Sequence, residues 1–365
     1  MKKTILHVLY IFILVICYSS YAREAKSEES IFRIGIVGIS STEDTFSQLY
    51  FNLHFAETIL PVTILEGRWD IPETESVREL IGQEIDGLML FTSDEKILPT
   101  VCGICEEAKV HWGIFLWQIQ DDDIRSLCES SEYYIGNTGE MEEQTGSEAL
   151  RKAYDMGFRK TVLFSEERWN VTCMQREKGI SDALKDCPGM EILHTVRAIQ
   201  GWQDAETLTE TLIAAYPEMD SILIAGTKGS NVPDGVIAGI RNAEKEKNIR
   251  LFSIDLPINV EECFSTGILA AAYGLPSLSL DPLFLFYALL NHVEGNPLSE
   301  QPQSYFLKGV LVDHTGQREK LVSFLSDPKQ LLLDEDQIHV LCKKENPSLD
   351  EKGFQQFITE YLDSF

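Results

Sequence analysis

The sequence predicts an α/β protein built as two doubly wound parallel-sheet lobes. From residue 32 onward, short apolar runs rich in β-formers alternate with longer helical patterns, the signature of parallel sheets covered by helices on both faces. The chain has 365 residues, beyond the size at which one hydrophobic core stops growing, so two lobes are expected. No Pro- or Gly-rich tether divides it, so the lobes should be joined by short crossing segments.

Strands are expected at 32–38, 62–65, 87–91, 113–117 and 133–136, then at 161–164, 192–196, 221–225, 251–254, 268–273 and 305–312. Between them run helical patterns. In one, Ala205, Leu208, Leu212 and Ala215 recur at three- and four-residue spacing and place a single apolar stripe against a sheet. The first series closes near Gly136, after a loop at 120–132 rich in Asp, Glu and Ser. Beyond Val312 the pattern changes. Asp327-Pro328 marks a turn, Leu331-Leu332-Leu333 is a short apolar run, and Phe354 to Tyr361 reads as a terminal helix. A tail this short should pack back on a lobe instead of folding alone.

The N-terminus reads as an export signal: Lys2 and Lys3, an apolar run from Ile5 to Ile16, and the small-x-small site Ser20-Tyr21-Ala22. The run is about twelve residues, short of the roughly 20 that span a bilayer, so a cleaved leader over 1–22 and a periplasmic location are expected. The competing reading, a lipid anchor on Cys17, puts Ile16 where such signals want a small residue. The net charge is −27 and becomes −29 when Lys2 and Lys3 leave with the leader. Such a surface repels phosphate backbones and excludes nucleic acid as a partner. Seven cysteines follow Ala22, an odd number in no metal-site spacing. Cys102-Gly103-Ile104-Cys105 is a CxxC, but it lies inside a helical pattern without the electropositive setting a reactive thiol needs, which favours burial.

Several segments fall in a familiar order. Phe32-Arg33-Ile34-Gly35-Ile36-Val37, Ile85-Asp86-Gly87-Leu88-Met89-Leu90-Phe91 and Tyr134-Ile135-Gly136-Asn137 are followed by Ala153 to Lys160, Gln175-Arg176-Glu177-Lys178-Gly179-Ile180, Ile254-Asp255-Leu256-Pro257 and Gly267 to Ala271. Over residues 32–312 this order resembles the type I periplasmic binding proteins, the lobes also found in repressors of the lactose-repressor type. Where those repressors carry a DNA-binding helix-turn-helix, this chain has its export signal. The resemblance implies a hinge of three crossing segments, a ligand clasped between the lobes, and closure that presents a changed surface to a partner. It sets the lobes at 31–137 with 274–303 and at 138–273 with 304–325, leaving 326–365 as an extension. It also implies a monomer that hands a small polar, sugar-like ligand to an ABC permease, or alternatively reports that ligand to a membrane histidine kinase or chemoreceptor.

By the same resemblance, Arg176, Asp255 and Asn137 match the polar ligand contacts of the family. Read from the residues alone, Arg176 is equally a solvated helix charge, Asp255 a strand-end turn and Asn137 a helix cap. Phe46, Trp117, Trp169 and Tyr273 lie near strand ends, where flat faces can cover a ligand or serve packing. The chain departs from the family at Trp117-Gln118, at Gly226-Thr227-Lys228-Gly229-Ser230-Asn231 and at Gly274, which argues against ordinary sugar specificity and admits a ligand whose cation sits against Trp faces. No nucleophile elbow, HExxH or dinucleotide fingerprint is present, and the histidines have no ligand spacing, so neither catalysis, nor a metal, nor a cofactor is expected.

Overall fold

The computed structural model describes residues 31–365, except 44–45, 228–230, 258, 275–276 and 314. The expected export signal over 1–22 with Cys17, the Lys228-Gly229-Ser230 stretch and His314 lie outside the described residues. With elements numbered in chain order, Phe32–Val37 (β1), Val62–Glu66 (β2), Gly87–Leu90 (β3), His111–Ile114 (β4), Tyr134–Glu140 (β5) and Gln303–Leu307 (β11) form one sheet. Its order is β11-β5-β4-β3-β1-β2, and every pairing is parallel.

Lys160–Ser165 (β6), Glu191–Arg197 (β7), Ser221–Ile224 (β8), Arg250–Ile254 (β9), Leu269–Gly274 (β10) and Val310–Val312 (β12) form the second sheet. Its order is β12-β10-β9-β8-β6-β7, with only β12 antiparallel. Central strands such as β3 and β8 are buried along their whole length, because helices cover both faces; their sequences are therefore continuously apolar instead of alternating.

In the first lobe, Ser47–Ile59 (α1) and Ser277–Val293 (α10) cover one face, while Glu73–Ile81 (α2), Leu98–Ala108 (α3) and Asp122–Glu129 (α4) cover the other. In the second lobe, Glu142–Asp155 (α5) and Val171–Leu184 (α6) face Trp202–Ala215 (α7), Val232–Asn242 (α8) and Val260–Ser265 (α9) across the sheet. α5 and α6 approach closely through glycines. A Cβ at Gly179 would sit 1.8 Å from the Glu143 carbonyl oxygen, and one at Gly146 would sit 2.1 Å from that of Arg176.

Three boundaries move by more than a residue relative to the sequence reading, the first being β4, which runs over His111–Ile114 rather than 113–117. β5 does not stop at Gly136 but runs to Glu140, so the first crossing follows Glu140 rather than Asn137. The expected strand at 305–312 is two strands in two sheets, because the chain leaves β11 in the first sheet and enters β12 in the second. The second crossing lies between β10 and α10.

The tail adds a fourth crossing to the three expected. Thr315–Ser326 (α11) begins on the second lobe, where Arg318 Nε pairs with Glu261 at 2.8 Å, and ends on the first, where Gln48 Nε2 donates to the Phe324 carbonyl at 2.6 Å. Glu335–Leu341 (α12) and Glu351–Asp363 (α13) then pack on α1 and α10 in one apolar core with Ile338, Phe354 and Ile358. Gln355 also closes the sheet edge. Its amide accepts from Phe306 N–H and donates to Phe306 C=O, both at 2.9 Å, and so satisfies groups that an edge strand leaves open. All seven described cysteines are free and buried. Burial pushes the Cys105 thiol up to about 12, so the CxxC in α3 is packing, not a reactive pair.

Candidate functional site

The carboxyl ends of both sheets face one another across a cavity of about 590 Å³. Both sheets reverse strand order two strands in from one edge, between β1 and β3 and between β6 and β8, and the loops leaving such points splay apart to open a crevice. Phe46 follows β1, Phe91 follows β3, Leu116 and Trp117 follow β4, and Glu140 ends β5; these form the first-lobe wall. The second-lobe wall comes from the start of α6 and the end of β9.

Asn170 caps α6 by accepting the Cys173 N–H at 3.0 Å. The helix therefore starts at a fixed angle and turns Thr172, Gln175 and Arg176 toward the cavity on one face. Arg176 is 4% exposed, and all five of its N–H bonds are taken. Nε donates to Glu142 at 2.5 Å, Nη1 to Asp255 at 2.8 Å and to the Ala225 carbonyl at 2.9 Å, and Nη2 to Glu142 and Asp255 at 3.2 Å each. Glu140 adds a carboxylate oxygen at 3.7 Å. Burial alone would weaken the guanidinium charge, but the carboxylates of Asp255 and Glu142 outweigh it and raise its pKa well above the ordinary value. Asp255 is 57% exposed at its side chain and holds a left-handed φ of 74°. It joins the clamp and still shows carboxylate to the cavity.

The first-lobe wall rests on two carboxylates behind it. Glu95 accepts from Trp117 Nε1 at 2.9 Å, Gln120 N–H at 2.7 Å and Asp121 N–H at 3.0 Å, which fixes the indole and the loop that carries it. Asp281, fully buried in α10, accepts from Leu116 N–H at 2.8 Å and Thr138 Oγ1 at 2.6 Å. These bonds hold Leu116 at φ 58°, a backbone state that costs a bulky residue about 1–3 kcal/mol unless its surroundings enforce it. Burial lifts the Asp281 carboxyl to about 7, against the opposing pull of these two donors.

Four of the seven sequence-selected residues line the cavity: Arg176, Asp255, Trp117 and Phe46. Three do not. Asn137 lies within β5, where it donates to the Trp117 carbonyl at 3.1 Å and accepts from Ser304 Oγ at 2.7 Å; it neither caps a helix nor reaches the cavity, because β5 continues past it. Trp169 is 70% exposed in the loop before α6, outside the lining. Tyr273 is buried in the second-lobe core, since its side chain leaves β10 on the face covered by α5 and α6. Glu140, Glu142 and Thr172 were missed. The two acids follow Asn137 by three and five residues and become visible only when β5 is extended to its true end. Among the described residues no group of three metal-ligating side chains occurs.

This architecture is the type I periplasmic binding protein fold, the fold of ABC transporter solute-binding proteins. Among similar solved structures is a solute-binding protein from Bacillus halodurans with bound myo-inositol, at TM-score 0.61 and 13% identity over 81% of this chain and 99% of that one. A periplasmic solute-binding protein from Actinobacillus succinogenes with bound D-allose gives 0.63 and 15% over 79% and 99%. A 5-methylthioribose transporter protein from Thermotoga lettingae with 5-methylthioribose gives 0.60 and 16% over 93% and 99%. No protein-family model matches the sequence. No curated protein matches it either.

Proposed function

We propose that the protein is an extracytoplasmic solute-binding protein that clasps a small polar, sugar-like ligand between its lobes and presents it to an ABC permease. The observation that carries this reading is the cavity between the two sets of strand ends. Its size suits a monosaccharide-sized solute, its polar groups converge from both lobes, and short crossings allow the walls to approach. The similar structures with bound myo-inositol, D-allose and 5-methylthioribose support a sugar-like ligand. The N-terminal segment that reads as an export signal supports a location where a permease could receive the protein.

The reading is tested by thermal unfolding with myo-inositol, D-allose, 5-methylthioribose and related polyhydroxylated solutes. A solute at about 100 times its Kd should stabilise the fold by about 2.7 kcal/mol. The shift should vanish in Asp255→Ala, which removes the exposed carboxylate of the second-lobe wall. Equal shifts in parent and variant would place the ligand elsewhere.

A further inference from the structure

We infer that the cleft selects a solute carrying a cationic amine, such as an amino sugar, over its neutral or acidic counterparts. The inference rests on the solute-binding reading above and adds the ligand's charge. Among the described lining residues Arg176 is the one basic side chain, against the acids Glu140, Glu142 and Asp255. Its five N–H bonds are already consumed by Glu142, Asp255 and Ala225, so it can serve no hydroxyl or carboxylate of a solute without giving up a bond it already makes. What the second-lobe wall offers is therefore an acceptor surface, with Asp255 its most exposed carboxylate.

The N-terminal ends of α5 and α6 add roughly half a positive charge each, which reduces the acid excess without cancelling it. Opposite stand Phe46, Phe91 and Trp117, whose ring faces attract a cation once it leaves water. The indole of Trp117 cannot turn away, because Glu95 holds its N–H. A chain charge of −27 also draws cations toward the opening and repels anions.

The test is calorimetric titration of the protein with glucosamine, glucose and glucuronate, and with the galactose set, at low and high salt. The expected result is glucosamine or galactosamine binding at least about tenfold tighter than the neutral sugar, with the margin shrinking as salt rises. Glucuronate and galacturonate should bind weakest. Glu140→Gln should narrow the ratio of amine to neutral-sugar affinity, whatever it does to both affinities in common, a change that a merely misfolded variant would not give. Neutral sugars binding as tightly as amines would overturn the charge inference and leave solute capture standing. An amine preference untouched by salt and by Glu140→Gln would also overturn it. Binding by none of the six, with shifts by none of the polyols named above, would overturn both readings.

Discussion

Arg176 holds together two carboxylates that would otherwise repel each other, Glu142 shielded from water and Asp255 half exposed. Removing one partner of a buried pair leaves the others uncompensated, at a cost of about 3–5 kcal/mol. Arg176→Ala is therefore expected to lower stability by that amount in urea unfolding. Arg176→Lys should recover only part of it, since one ammonium cannot form two bidentate pairs at once; full recovery would mean the fork geometry is unimportant. Asp281 gives a pH signature. Its carboxyl is held at about 7 in the folded protein, above the unfolded value, so the fold binds its proton more tightly than the unfolded chain. The stability it contributes is complete below about pH 4, is lost as pH rises through about 7, and is constant above that. Asp281→Asn keeps an oxygen for Leu116 N–H and Thr138 Oγ1 but cannot ionise. It should raise the melting temperature at pH 8 relative to the parent and change it little at pH 4; parallel pH profiles for the two proteins would contradict this.

At the scale of elements, the contact of α5 with α6 positions the whole clamp, since Glu142 opens one helix and Arg176 lies on the other. Gly179→Ala would force a methyl group against the Glu143 backbone and push the helices apart. A loss of about 1–3 kcal/mol is expected in denaturant unfolding, with weakened solute binding, and a neutral effect would show that the helices can slide without cost. The strands were legible in the sequence because a parallel strand covered on both faces is a continuous apolar run, as in Gly87–Leu90 and Ser221–Ile224. Their ends were less so. Asn137, Gly139 and Glu140 fill the end of β5 with residues of weak strand preference, and the pairing with β11 that orders them is long-range and leaves no local mark. That one misplaced end explains why Asn137 was selected and Glu140 and Glu142 were passed over. Tyr273 failed for a related reason: the strand was recognised, but the face on which an aromatic side chain falls depends on register, which a one-residue slip inverts.

For the whole molecule, the fourth crossing distinguishes this chain from the three-segment hinge that the sequence suggested. α11 is pinned to the second lobe by Arg318 with Glu261 and to the first by Gln48, so it lies across the hinge and must flex or slide whenever the lobes move. The two sheets are arranged so that a solute can be held between the lobes. Gly139 allows the most direct test, because it lines the cavity from β5 and a Cβ there meets nothing nearer than Gln118 Cγ at 3.4 Å, so a ring can be added without disturbing the backbone. Calorimetric titration of the parent and Gly139→Phe with myo-inositol, D-allose, 5-methylthioribose and glucosamine compares an open cleft with a filled one at similar melting temperature. Saturable binding to the parent by at least one of these solutes is expected, with a loss of about a hundredfold or more in Gly139→Phe; equal affinity in the two proteins, or no binding to the parent, would show that the cleft does not hold the solute.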